Sequence, residues 1–284
     1  MKIIKDILEM QVMAEESRRS GKKIALVPTM GALHQGHLSL MDYGRTKADL
    51  LVVSIFVNPI QFGPKEDFGK YPRDLQGDSL LTAKRGVDII FSPEAKDFYP
   101  DLFQTYVMVE QVTQPLCGAV RPGHFRGVTT VVCKLFHIVK PHLAIFGQKD
   151  FQQLIVIQQM AKDLNMDVEV IGRPTVREAD GLAMSSRNRY LSPEERVSAR
   201  SLSWALKEAQ VLFRKGERKT EVLLDRVSGL IGREPATRIE YARICHPRTL
   251  EDLTVVKDQG VLALAVWVGS TRLIDNCLLE DNQE

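Results

Sequence analysis

The chain has 284 residues, enough for one large domain or two modest ones that each bury a core. Charged residues make up 26% and apolar residues 44%, a balance that excludes a disordered chain. The formal net charge of +2 leaves no global basic field for nucleic acid or an anionic membrane, so any anion site must be local.

Four cysteines, Cys117, Cys133, Cys245 and Cys277, lie far apart with no Cys-x-x-Cys pair. Neither a disulfide framework nor a zinc site has that spacing, and reduced thiols are expected. The longest apolar runs, such as Leu50 to Val57 and Val261 to Val268, are of strand length and too short to span a bilayer. The opening Met1-Lys2-Ile3-Ile4-Lys5-Asp6 lacks a signal-peptide pattern. A cytoplasmic protein with no membrane or nucleic-acid partner is the expectation.

In chain order, β-rich apolar runs appear at Ile24 to Val27, Leu51 to Val57, Val87 to Phe91, Leu143 to Phe146 and Val168 to Ile171. Helical patterns alternate with them, which predicts a parallel sheet covered by helices. The clearest helix runs from about Asp150 to Asn165, with Leu154, Ile157, Ala161 and Leu164 at helical spacing. After Gly172-Arg173-Pro174 the texture changes. Ser192-Pro193-Glu194-Glu195 reads as a helix start, and Leu202, Ala205, Leu206, Ala209, Leu212 and Phe213 mark its buried stripe. A second helix is predicted from Thr220 to Ile231. Three β-like runs follow, Arg238 to Ile244, Val261 to Val268 and Thr271 to Cys277, the last two joined by a hairpin at Gly269-Ser270. A smaller α+β domain is therefore expected from about residue 174.

In a sheet of this kind, ligands sit beyond the carboxyl ends of the strands. There, Val27-Pro28-Thr29-Met30-Gly31-Ala32-Leu33-His34-Gln35-Gly36-His37 leaves a strand, turns through glycine and opens a helix. Two histidines three apart share one face beside helix amino-terminal amides, a ready anion site. Their placement directly after the first strand favours that reading over a helix cap bearing two surface histidines. Neither the Gly-x-x-x-x-Gly-Lys-Ser/Thr nor the Gly-x-Gly-x-x-Gly phosphate loop is present, which argues against P-loop kinases and NAD dehydrogenases. A second cluster, Gly147-Gln148-Lys149-Asp150-Phe151-Gln152-Gln153, offers an ammonium for a polyphosphate. Asp150 either caps the following helix or accepts from ribose hydroxyls. Gln153 puts an amide on an apolar helix face with Ile157, Met160 and Leu164, to be met by substrate or by a buried loop carbonyl. Met184-Ser185-Ser186-Arg187 adds hydroxyls and a guanidinium suited to phosphate oxygens. Asn58-Pro59-Ile60-Gln61-Phe62 carries two amides, for a small polar substrate or for turn chemistry. Arg121 to Gly127 is a glycine-rich basic loop, either a substrate cover or plain surface. Asp74 and Asp78 are carboxylates for indirectly held Mg²⁺ or solvated helix charges.

Together, Pro28-Thr29-Met30-Gly31-x-Leu33-His34-x-Gly36-His37, Ser54-Ile55-Phe56-Val57-Asn58-Pro59-x-Gln61-Phe62, Gly147-Gln148-Lys149-Asp150 and Ser185-Ser186-Arg187-Asn188 closely resemble the pantothenate synthetase (pantoate–β-alanine ligase) family. The match runs from residue 24 to about 190 and resumes at Thr271-Arg272-Leu273-Ile274-Asp275-Asn276. His-x-Gly-His alone would indicate only the wider nucleotidyltransferase superfamily. The resemblance implies an α/β fold: a Rossmann-like parallel-sheet domain over residues 1–173 that binds ATP and pantoate, and a smaller α+β carboxyl-terminal lid over 174–284. It also implies a homodimer, Mg²⁺, and the last step of pantothenate biosynthesis. ATP and (R)-pantoate would give pantoyl-adenylate and pyrophosphate, and β-alanine would then release AMP to form pantothenate.

By the family pattern, Met30, Gly31, Ala32, Leu33, His34, Gln35, Gly36 and His37 would contact ATP, with His37 as proton donor and His34 and Lys149 as further catalytic groups. Gly147, Gln148, Lys149, Asp150, Val176, Met184, Ser185, Ser186 and Arg187 would complete the nucleotide site. Gln61 and Gln153 would hold pantoate with Asn58 beside them, and Gln61 would also meet β-alanine. Asp78 is the candidate metal carboxylate. Gln148 stands where many relatives carry Glu. A transferase moving a nucleotidyl unit onto a phosphorylated acceptor, and a nucleotide-binding module without turnover, are the competing readings.

Overall fold

The computed structural model describes residues 1–64 and 66–281. In chain order its elements begin β1 (Lys2–Ile4), α1 (Ile7–Arg19), β2 (Ile24–Thr29), α2 (Gln35–Arg45), β3 (Leu50–Ile55), α3 (Leu75–Ala83), β4 (Ile89–Phe91), α4 (Ala95–Phe98) and α5 (Cys117–Val120). They continue with α6 (His124–Val139), β5 (Leu143–Gly147), α7 (Phe151–Asp163), β6 (Glu169–Arg173), α8 (Pro193–Arg214), α9 (Thr220–Ile231), β7 (Thr237–Cys245), β8 (Gln259–Val268) and β9 (Thr271–Glu280). Two units form: 1–110, 121–148 and 153–174 make the first, and 111–120, 149–152 and 175–284 the second.

In the first unit six strands lie in the order β1-β4-β3-β2-β5-β6, every pair parallel. Ile24 pairs with Leu50, and Leu143 with Glu169. From β2 the chain moves outward through β3 and β4, then crosses to the other flank for β5 and β6. The carboxyl ends of β2 and β5 thus border the switch point where open α/β sheets take ligands. Ala25, Val27, Leu51, Val53, Ile90 and Ile145 form the core with Leu38 and Met41 of α2. Gly44 lets α2 lie close, since a Cβ there would stand 2.8 Å from the Leu51 Cδ1.

The second unit is built on an antiparallel β7-β8-β9 meander. Its hairpin pairs Val268 with Thr271 across Gly269, whose φ of 55° a side chain would strain. Leu202, Leu206 and Phe213 of α8 pack with Leu223 and Val227 of α9 and Leu262, Leu264 and Val266 of β8. The predicted α8 stripe is buried except for Leu212, which is partly exposed. Ser192 starts α8 as expected: its hydroxyl accepts the Glu195 amide while the Glu195 carboxylate accepts the Ser192 amide. Among the described residues no helix is long and apolar enough to cross a membrane.

Several elements differ from the sequence reading. β1 and α1 were not expected, yet Ile4, Met10 and Ala14 are fully buried. Arg121 to Gly127 is not a free loop, because α6 begins at His124. Its glycine serves close packing: a Cβ on Gly127 would stand 2.5 Å from the Ile60 carbonyl oxygen. Helix α7 starts at Phe151, after a 3₁₀ turn over Gln148–Asp150.

The reciprocal cap makes a direct prediction. Replacing Ser192 by Ala should cost about 1 kcal/mol of stability, measured by urea unfolding followed by circular dichroism. An unchanged midpoint would remove the cap from the forces that set the start of α8.

Candidate functional site

The turn after β2 is held in an unusual conformation by a carboxyl group from α3. Gly31 has φ 80° and Ala32 φ 51°. A non-glycine residue in this region carries a steric cost of roughly 1–2 kcal/mol, so the turn needs external support. Asp78 supplies it: Oδ2 accepts the Ala32 amide at 2.9 Å and Oδ1 the Leu33 amide at 2.8 Å. A side chain at Gly31 would meet Asp78 Oδ2 at 2.9 Å, so glycine is required by both conformation and space. Thr29 Oγ1 accepts the Gly31 amide and donates to the Ser54 carbonyl, tying the turn to β3.

Asp78 was the candidate metal carboxylate, and the structure gives it this other task. It is 3% exposed, with both oxygens turned to backbone amides. Among the described residues no group of three or more His, Cys, Asp or Glu side chains is arranged to hold a metal. With both oxygens held by the turn, Asp78 does not fit a directly bound Mg²⁺.

His34 is the N-cap of α2 and His37 its third residue. Nδ1 of His34 accepts the Gly36 amide at 3.2 Å, and Nδ1 of His37 accepts the His34 amide at 3.3 Å. A backbone N–H can only donate, so neither Nδ1 bears the ring proton, and each neutral imidazole carries it on Nε2. The rings lie 4.1 Å apart between centroids. The cap and the paired imidazoles are therefore one feature: the histidines satisfy helix amides expected to receive an anion, and the same bonds put each ring proton on Nε2. Gln35 is exposed, while Met30, Gly36 and His37 are half-buried.

Gln61 and Asn58 follow β3. Asn58, expected among the substrate amides, is 1% exposed and fully engaged within the fold. Its Nδ2 donates to the Gln61 Oε1 and to the Gly127 carbonyl, both at 3.0 Å, and its Oδ1 accepts the Tyr99 hydroxyl at 2.8 Å. Asn58 supports Gln61 rather than facing a ligand. Gln61 remains partly exposed, with Nε2 3.2 Å from the Met30 sulfur. His124 receives Arg121 at Nε2 and reaches the Gln61 carbonyl through Nδ1 at 2.9 Å. Arg121 also pairs with Glu66 at 2.5 Å, so this basic stretch is tied to its surroundings. Burial raises the Glu66 carboxyl, but the Arg121 contact outweighs that and leaves it below the usual range. Gln153 is half-buried, and its side-chain amide has no hydrogen-bond partner among the described residues. The buried amide of that turn is Gln152, which donates to Val112 and Pro115 carbonyls and accepts the Cys117 amide.

In the second unit the Lys149 carbonyl accepts Asn276 Nδ2 at 2.9 Å, while its half-buried ammonium meets no carboxylate among the described residues. Asp150 is exposed. The Met184 amide bonds the Val176 carbonyl, bringing those two positions together. Ser185 caps the 3₁₀ turn Ser186–Tyr190 by accepting the Arg187 amide. Asn188, 8% exposed, anchors the turn through Glu178 and the Ala183 carbonyl. Asp275 holds Arg177 bidentately at 2.6 and 3.0 Å. Asn276 thus secures the Lys149 backbone and Asp275 the Arg177 side chain, roles visible beforehand only in their place within the Thr271–Asn276 match.

The family model described as Pantoate-beta-alanine ligase matches residues 2–278. A pantothenate synthetase from Geobacter sulfurreducens is 58% identical over 283 residues, covering 100% of both chains. One from Geotalea uraniireducens is 58% identical over 282 residues, 99% of this chain and 100% of the other. The crystal structure of pantothenate synthetase from Thermus thermophilus superposes with a TM-score of 0.94 at 42% identity, over 99% of this chain and 100% of that one. A pantoate-beta-alanine ligase from Francisella tularensis, complexed with beta-gamma ATP and beta-alanine, gives a TM-score of 0.81 at 33% identity over the whole of both chains. With its fold, its motifs and its entire length in register with these proteins, the chain belongs to the pantoate–β-alanine ligase family.

Proposed function

We propose that the chain condenses (R)-pantoate with β-alanine in two steps at the expense of ATP, and that the paired imidazoles after β2 carry the first step. The pantoate carboxylate attacks the α-phosphorus and expels pyrophosphate. The β-alanine amine then attacks the acyl carbon of pantoyl-adenylate, and AMP leaves with the pantothenate formed. A carboxylate is a poor acyl donor, and adenylation supplies its leaving group. The step needs fixed donors where charge grows on phosphate oxygens, not a side-chain nucleophile.

The observation that carries this reading is the cap geometry, which sets the ring protons of His34 and His37 on Nε2 along a turn fixed by Asp78. His37 is the donor to the developing charge, and Met30 to His37 form the nucleotide-contacting turn. Lys149, Asp150, Gly147, Gln148, Val176, Met184, Ser185, Ser186 and Arg187 are the remaining nucleotide contacts by the family pattern. The lone ammonium of Lys149 supports its assignment to phosphate. Gln61 and Gln153 are the pantoate contacts, and Gln61 also meets β-alanine; the unmatched amide of Gln153 supports its part. Mg²⁺ would arrive with the triphosphate, and no step is assigned to it. A homodimer rests on the family resemblance, and a cytoplasmic location on the demand for ATP.

The deciding experiment is mass-spectrometric detection of pantothenate and AMP from ATP, pantoate and β-alanine, with each substrate omitted in turn. Product formed without β-alanine, or a lasting nucleotidyl adduct, would favour nucleotidyl transfer instead. His37→Ala should slow pantoate-dependent ATP–pyrophosphate exchange at least tenfold, about 1.4 kcal/mol of barrier, with unchanged circular dichroism. Near-normal exchange would remove His37 from the chemistry. Asp78→Asn sets an amide donor against a backbone N–H of the turn, a conflict of roughly 1–3 kcal/mol, and should raise KM for ATP by about fivefold or more. A defect repaired by excess Mg²⁺ would return Asp78 to the metal.

A further inference from the structure

We propose that Tyr99 is a positioning residue that, acting through Asn58, fixes the Gln61 amide with its N–H end toward substrate. The inference rests on the reading of Gln61 as a pantoate contact and adds what that contact must be. Its starting point is an atom of unambiguous character. The Gly127 carbonyl oxygen can only accept, and the Asn58 side-chain atom 3.0 Å away must therefore be the amide nitrogen. The opposite atom of Asn58 is then its oxygen, and the Tyr99 hydroxyl 2.8 Å away is its donor. The second Asn58 N–H points at Gln61, 3.0 Å away, so Gln61 turns its own oxygen inward. Its Nε2 is left on the other side, beside the Met30 sulfur at 3.2 Å, a weak acceptor that a substrate oxygen would outcompete.

Each link is one-way: Tyr99 donates to Asn58, Asn58 to Gln61, and Gln61 outward. Two features hold the direction. Gly127 allows α6 to lie on the 59–61 backbone, since a Cβ there would stand 2.6 Å from the Gln61 Cα. That approach delivers the orienting carbonyl. Tyr99 is packed among aromatic rings, with centroids 5.2 Å from Phe98 and 5.0 Å from Phe103. Burial pushes its phenol well above the ordinary tyrosine range, so it stays a hydroxyl donor at neutral pH. The consequence is a rule for the ligand: what meets Gln61 is an acceptor, a carboxylate or hydroxyl oxygen, and not an ammonium group.

The test is a double-mutant cycle on the full-length enzyme, reading KM for pantoate and for ATP together with the melting temperature. Gln61→Ala should raise the pantoate KM about tenfold or more, and Tyr99→Phe, which removes only the hydroxyl, about three- to tenfold with the ATP KM within about twofold. In the Gln61→Ala background, Tyr99→Phe should add nothing. Asn58→Ala breaks the relay at its middle and should show the same pattern, which keeps the test decisive if Tyr99→Phe folds poorly. Multiplicative effects, or a Tyr99→Phe enzyme with wild-type pantoate KM, would overturn the relay while leaving Gln61 in place. An unaffected pantoate KM in Gln61→Ala would overturn both the relay and the assignment beneath it.

Discussion

The grip of one buried carboxyl group on two backbone amides sets the shape of everything after β2. Asp78 sits in the first turn of α3, where a helix amino terminus favours an acid, and it reaches a turn 45 residues earlier in the chain. Without it, Ala32 at φ 51° would have no reason to stay left-handed, and His34 would not enter α2 as its cap. Placing a polar side chain at 3% exposure is costly unless hydrogen bonds replace water, and the two amides do so. The turn is strained locally and over-determined by its neighbours, the pattern expected where geometry serves chemistry.

From that constraint the histidines follow. A helix start usually recruits Ser, Thr, Asp or Asn to accept its orphan amides. Here imidazole nitrogens accept them, which fixes the tautomer of each ring as it closes the cap. One set of hydrogen bonds thus holds the fold and selects the proton-bearing nitrogen. An Asp cap would satisfy the same amides while setting a permanent negative charge against a triphosphate.

How far the sequence could be read depended on how far apart the partners lie. Helices α8 and α9 were legible almost to the residue, because the Ser192–Glu195 cap and the Leu202 to Phe213 stripe are local signals. The motifs at His34–His37, Gly147–Asp150 and Ser185–Asn188 were legible through resemblance. What escaped were side chains whose partners are distant. Asp78 looked like a solvated or metal-binding acid because nothing nearby announces two amides 45 and 46 residues away. Asn58 looked like a ligand contact because Gly127 and Tyr99 lie 69 and 41 residues on. Gln153 drew notice by helical spacing, while its neighbour Gln152 carries the buried bonds to a loop 35 to 40 residues back. The Gly127 backbone contact likewise hid α6 behind a glycine-rich stretch that read as loop.

The pairing of the charged groups separates structure from chemistry. Arg121, Arg177, Arg196 and Arg272 each meet a carboxylate: Glu66, Asp275, Glu178 with Asp180, and Glu240. A partly buried cation with such a partner is satisfied and has little to gain from a ligand. Lys149 stands apart, half-buried with no carboxylate partner among the described residues and with its backbone pinned by Asn276. An incoming polyphosphate would meet a cation that has not already spent its electrostatic energy inside the fold. The imidazoles, amides and hydroxyls that share the motifs with Arg187 strengthen as charge develops instead of clamping a ground state. A reaction that must release pyrophosphate and then AMP is served by this mixture, because a site built only from fixed cations would bind its products as firmly as its substrate.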